Sequence, residues 1–198
     1  MNEKIVVIAT TNKNKIIEIE EILKEVLPDT IFKSLLDFKC DIDIEEDADT
    51  FEGNAIKKAK EYSEILGYPC IADDSGLCIE ELDDWPGVKT ARFLGENATA
   101  RERNEYILEK MKNLEKSKRI AKHVTNIVFY KNIEEIIVSE GIVEGYIMDT
   151  IKGENGFGFD EIFEVDGKSM AEYTLFEKNK FSARRIAINK LKEKILQK

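Results

Sequence analysis

Two adjacent carboxylates, Asp73 and Asp74, stand with Ser75 and Gly76 at the end of a short apolar run, Cys70-Ile71-Ala72. Acids presented this way can hold a hard divalent ion and take a proton from water, although Asp-Asp-Ser-Gly also reads as an ordinary turn after a strand. Upstream, the segment Asp41 to Asp49 contributes Glu45 and Glu46, as further oxygen donors or as a solvated acidic face. A third candidate is the polar loop Thr10-Thr11-Asn12-Lys13-Asn14-Lys15. Unpaired N–H groups at the helix start that follows would favour an anion within reach of Lys15. The loop has no glycine and is not of the Walker type, and helix capping alone is its simpler account. In Gly153-Glu154-Asn155-Gly156-Phe157-Gly158-Phe159-Asp160, three glycines let the backbone approach a flat ligand, an aromatic ring can stack on it, and Asp160 can accept from ring N–H groups. A nucleobase suits that pattern, and so does a Gly-rich turn with Phe157 and Phe159 in the core. Lys178, Ser182, Arg184 and Arg185 form a cationic cluster at a helix start, able to clamp a phosphate or a base carbonyl.

Those residues need elements to position them. Lys4 to Ala9 is a β-branched run, and Ile16, Ile19, Ile22, Leu23 and Val26 recur at helical spacing, so a strand, a polar loop and a helix are predicted in that order. A second strand is expected over Thr30 to Leu35. Asp49 with Glu52 reads as a capping box for a helix carrying Phe51, Ala55, Ala59, Tyr62 and Leu66 on one stripe and ending at Gly67. Thr99 with Glu102 caps another helix, reaching about Leu114. Ala121 to Tyr130 and Glu134 to Ile147 form a hairpin, Asp160 to Val165 follows the Gly-rich turn, and Ser182 opens a last helix. Strands alternating with helices, with no repeat and no linker, give one α/β domain.

Composition narrows the function classes. Acidic residues outnumber basic ones 40 to 30, for a net charge of −10, which disfavours general nucleic-acid binding because that affinity comes from cationic neutralisation of phosphates. No apolar run approaches a membrane span and no leader pattern opens the sequence, so a cytoplasmic protein with no membrane partner is expected. Cys40, Cys70 and Cys78 are odd in number and lack a C-x-x-C pair, which reads as reduced, packed thiols. The single histidine, His123, sits in an alternating strand-like segment, which argues against a multi-histidine zinc site and a Ser-His-Asp triad. A metal here would be a hard ion on carboxylates, Mg²⁺ or Mn²⁺.

Taken in order, five segments resemble the inosine/xanthosine triphosphate pyrophosphatase family, also called Ham1-like: Ile8 to Lys15; Thr50 to Ala55 with Lys58-Ala59; Ala72 to Leu77; Pro86-Gly87-Val88 with Ala91-Arg92; and Gly153 to Asp160. The resemblance spans nearly the whole chain. It implies an elongated α/β fold over residues 1–198, a single domain with a long mixed sheet, flanking helices and two lobes around a central cleft, usually as a homodimer. It further implies Mg²⁺-dependent hydrolysis of ITP, dITP or XTP to the monophosphate and pyrophosphate, cleansing the nucleotide pool. By resemblance, Thr10, Asn12 and Lys15 hold the triphosphate, with Lys58 and Ser75 nearby. Glu45 and Asp74 place the metal, and Asp74, with or without Asp73, activates water. Phe157, Gly158, Phe159 and Asp160 form the base pocket, and Lys178 and Arg184 contact the base. Hypoxanthine and xanthine carry a 6-oxo acceptor and an N1–H donor, whereas adenine would leave a cationic partner unpaired.

Two departures stand out. The family pattern Ser-His-Arg is Ser182-Ala183-Arg184 here, and Thr11 replaces a glycine common in the first loop. Two rivals stay open: a Maf-type pyrophosphatase of other nucleotides, and, because of Ala183, a nucleotide-binding protein with weakened catalysis.

Overall fold

The opening β-branched run forms strand β1, Ile5–Ile8, and the polar loop leads into helix α1, Lys13–Val26. Asn12 caps that helix by accepting the N–H groups of Asn14 and Lys15, which satisfies two of the donors a helix start leaves unpaired. Strand β2, Ile31–Ser34, follows, then α2, Phe51–Leu66, closed by Gly67. In this computed structural model, which describes residues 4–95 and 97–197, the cap of α2 is Thr50, accepting from the Gly53 N–H, and not Asp49 as the pattern suggested.

The segment Cys70–Ile79 is one unbroken strand, β3, so Asp73-Asp74-Ser75-Gly76 lies within a strand and not in a turn. Its neighbours hold it extended despite weak local propensity. The remaining elements are β4 (Trp85–Pro86), α3 (Ala100–Met111), β5 (Ile120–Asn132), β6 (Glu135–Ile147), β7 (Phe163–Val165), β8 (Lys168–Ser169), α4 (Leu175–Lys178) and α5 (Ala183–Leu196). Helix α3 has the expected Thr99–Glu102 box but ends three residues before Leu114. The sheet runs β2-β1-β3-β5-β6-β7-β8, with β4 on β3. Strand β1 is parallel to β2 and β3, whereas the β3–β4, β6–β7 and β7–β8 pairs are antiparallel, so the sheet is mixed. No helix among the described residues is long and apolar enough to cross a membrane.

The chain divides into two compact units. The first takes the described residues up to Asp74, Thr125–Gly141 and those from Ala183 onward. Its core lies on both faces of the sheet: Val6, Ile8 and Ile71 pack with Ile19, Ile22 and Leu23 of α1 and with Ile188 and Leu191 of α5. Val7, Ala9, Cys70 and Ala72 pack with Ala55, Ala59 and Tyr62 of α2. Odd and even positions of β1 and β3 therefore serve opposite helix layers. The second unit takes Ser75–Val124 and Ile142–Ser182. There the buried Arg119 donates to the carbonyls of Met111, Ile147 and Met148, tying the end of α3 to the end of β6. Each donor of a buried guanidinium needs such an acceptor.

Candidate active site

In the first unit, the alternation of β3 separates the two acids. Asp73 emerges on the α1/α5 face, where its Oδ2 lies 3.0 Å from Lys15 Nζ and 3.0 Å from Arg184 Nη2. The Arg184 guanidinium also donates to Glu18 of α1, which is buried. Burial alone would push the Asp73 carboxyl up, but Lys15, Arg184 and Lys58 outweigh it and hold the group well below the usual carboxylate range. Asp73 is thus a fixed anion that collects cations.

Asp74 emerges on the α2 face. Its Oδ2 accepts from the Asn54 amide at 3.0 Å, and burial, followed by the charge of Glu46, pushes its carboxyl above the ordinary value against the pull of Lys58, Asn54 and Lys15. Lys58 Nζ donates to Glu46 Oε1 at 2.5 Å and to the Asp73 carbonyl at 2.7 Å. Despite burial, the charges of Asp74, Asp73 and Glu46 raise its pKa, so the ammonium stays charged. Glu45, the metal donor implied by resemblance, is exposed in the same loop. Among the described residues, no group of three or more His, Cys, Asp and Glu side chains forms a ready-made metal centre. The donor set nevertheless fits a hard cation, because Asp74 and Glu46 couple electrostatically and already draw in an ammonium.

Of the first loop, Thr10 Oγ1 accepts from the Asn12 N–H at 3.2 Å and Asn12 caps α1, so both side chains shape the turn that presents Lys15. Ser75 is half-buried in β3. Arg184, placed near the base by resemblance, is held within the first unit by Asp73 and Glu18.

In the second unit, the Gly-rich loop winds around Asp160. Its Oδ2 accepts from Lys178 Nζ at 2.6 Å and from the Phe157 N–H at 2.8 Å, and Lys178 Nζ sits 4.7 Å from the centre of the Phe157 ring. Phe159 is buried and packs on Phe93, which packs on Trp85. Its ring therefore belongs to an aromatic cluster, while Phe157 is the half-buried aromatic beside the Lys178–Asp160 pair. From α3, the fully buried Asn104 donates to the Gly158 carbonyl and to Glu161, both at 3.1 Å.

Glu18, Asn54 and Asn104 were not singled out in the sequence. Each is a polar residue at a helix position that ends up fully or nearly buried. The available signal was weak: Asn54 and Asn104 lie beside or between apolar positions of their helices.

A sequence model of the Ham1 family matches residues 6–194. The chain belongs to the Ham1 family. Relatives named dITP/XTP pyrophosphatase include those of Thermoanaerobacter sp. (strain X514), 43% identical with 98% of this chain and 97% of the relative covered, and of Dictyoglomus thermophilum, 44% identical with 97% and 94% covered. Among solved structures, the Ham1 protein of Staphylococcus aureus superposes with a TM-score of 0.86 at 37% identity, covering 98% of this chain and 99% of that one. This Ham1 chain thus has the mixed α/β fold of that structure.

Proposed function

We propose that this protein hydrolyses non-canonical purine nucleoside triphosphates, dITP, ITP and XTP, to the monophosphate and pyrophosphate. The observation that carries the reading is the pairing of a cation-collecting acid, Asp73, with an adjacent acid of raised pKa, Asp74, in a chain whose relatives bear the name dITP/XTP pyrophosphatase. Lys15 and Lys58 supply positive charge to the phosphates, and the dipole of α1 adds to it at the helix start. Thr10 shapes the loop that presents Lys15, and Ser75 follows Asp74 directly in β3.

Glu45 and Asp74, with Glu46 beside them, would hold Mg²⁺ or Mn²⁺. Such an ion would offset the repulsion between a triphosphate and a protein of net charge −10 and would supply Lewis-acid polarisation of the phosphoryl group. Asp74, buried and held by the Asn54 amide, would accept the proton of the attacking water. Asp73 keeps Lys15 and Arg184 in place. The base goes to the loop Phe157–Asp160 with Lys178: the ammonium meets the 6-oxo group, the ring of Phe157 and the backbone around Gly158 lie against the purine face, and Asp160 orients Lys178. Phe159 supports that loop from the aromatic cluster, and Arg184 is assigned to Asp73 and Glu18 rather than to the base. The resemblance also carries a homodimer, which the mass in solution would read.

Product analysis tests the reading. ITP should give IMP and pyrophosphate in equal amounts without orthophosphate, and IDP with orthophosphate would overturn it. Ala183 is buried and offers no polar group, which keeps a nucleotide-binding protein of weak catalysis as the second reading; its mark is saturable ITP binding without product.

A further inference from the structure

Asn54 stands in the first turn of α2, has no exposed surface, and uses its amide at both ends. Its Oδ1 accepts from the Ala48 N–H at 2.9 Å, in the loop that carries Glu45 and Glu46, and its Nδ2 donates to Asp74 Oδ2 at 3.0 Å. The orientation of the amide follows: a backbone N–H can only donate, so the oxygen faces the loop and the NH₂ group faces the carboxylate. The loop also lies directly on the helix start. A Cβ on Gly53 would come within 2.8 Å of Ala48 Cβ and 3.1 Å of Thr50 Oγ1, so the absence of a side chain at position 53 lets Ala48 descend to Asn54.

One buried side chain thus spans the two segments that carry the acids assigned to the metal. We propose that Asn54 is a positioning residue that fixes the spacing between the Glu45–Glu46 loop and Asp74, and thereby builds the divalent-cation site without touching the ion. The inference rests on the reading of Glu45 and Asp74 as the metal donors. Physically, the amide restrains the Asp74 carboxylate by engaging one oxygen, and it holds the loop against the helix, so that binding an ion does not have to order either segment. Lys58 also bridges the two segments, from Glu46 Oε1 to the Asp73 carbonyl, whereas Asn54 holds the Asp74 carboxylate itself.

The test is Mn²⁺ binding to the full chain without nucleotide, followed by the electron paramagnetic resonance signal of the free ion, for the parent, Asn54→Ala and Asn54→Ser. The parent should bind Mn²⁺, and both variants should bind it about 10- to 100-fold more weakly, the range seen when a residue behind a metal ligand is removed. Pyrophosphate release from ITP should then need correspondingly more Mg²⁺, while the KM for ITP at saturating metal stays unchanged. A general packing role would lower the folded fraction without giving that split between metal and nucleotide. Folded variants that bind Mn²⁺ as tightly as the parent would overturn the proposal, as would a parent that binds no Mn²⁺, or the failure of both variants to fold. If Mn²⁺ binding depends on Asn54 but no triphosphate is hydrolysed, the positioning role stands and the proposed activity fails.

Discussion

Asp73 and Asp74 are consecutive in β3, yet their carboxylates leave the sheet on opposite faces, Asp73 to Lys15 and Arg184 at 3.0 Å and Asp74 to the Asn54 amide at 3.0 Å. A period of two makes this unavoidable in a strand. It gives two identical side chains opposite electrostatic characters, one stabilised as an anion by three cations and one made more basic by burial beside Glu46.

The same substitution at the two positions should therefore act in opposite directions. Asp73→Asn leaves the buried Arg184 without one of its anions and should cost about 3–5 kcal/mol of folding stability at neutral pH. The folded-state pKa of Asp73 is depressed, so its stabilisation is present above the unfolded value of about 3.9 and is lost as pH falls below that toward the folded value. The gap between parent and variant in urea unfolding should narrow accordingly in strong acid. Asp74→Asn removes a carboxylate that burial disfavours, so stability should hold or rise while turnover falls by about 10²- to 10⁴-fold. Asp74→Asn with parental turnover would remove Asp74 from the chemistry.

Thiol titration gives a second check. Burial pushes Cys70 up to about 12 and Cys78 up to about 11, the latter helped by Asp84, whereas Cys40 is partly exposed. The thiolate is the reactive form, so at about pH 8 a disulfide reagent should modify Cys40 alone in the native protein and all three thiols in denaturant. Rapid modification of Cys70 or Cys78 in the native state would contradict this packing.

Helix α5 approaches β6 without clearance at Gly141, where a Cβ would fall 1.9 Å from the Ala183 carbonyl and 2.6 Å from the Ala187 nitrogen. Gly141→Ala must displace the start of the helix that carries Arg184. A loss of about 1–3 kcal/mol is expected from such overpacking, together with lower turnover of ITP. Unchanged stability in thermal unfolding would show that α5 can shift freely.

Asn104 supports the loop assigned to the base. Asn104→Leu removes the donor to the Gly158 carbonyl and to Glu161, which should cost about 1–3 kcal/mol because the loop's acceptors lose their partner. The KM for ITP should rise more than kcat falls, a pattern that steady-state kinetics separates.

Much of this architecture was legible in the residues. The β-branched run, the Asn12 region, the Thr99–Glu102 box, the Gly67 stop and the last helix are local signals, and each element forms close to where its pattern placed it. The misreadings share a cause. Asp73 to Gly76 has turn-like local chemistry, but β3 runs through it, lying between β1 and β5 in the sheet, and Thr50 displaces Asp49 as cap because its hydroxyl reaches Gly53. Candidate acids could be named from their types, whereas their partners could not: Arg184 finds Glu18 across 166 residues and Asn104 finds Gly158 across 54. Such contacts depend on how helices lie on the sheet, which spacing along one segment does not encode. The buried Asn54 is the clearest case: it lies in the Thr50–Ala55 segment, yet nothing in that segment names Ala48 and Asp74 as its partners.

The central claim is tested most directly by pyrophosphate release from dITP, ITP, XTP, GTP, ATP and dTTP, each with Mg²⁺ and with chelator. The account predicts release from dITP, ITP and XTP well above the other three, abolished by chelator. Release that favours dTTP or ATP, or saturable ITP binding with no release at all, would contradict it.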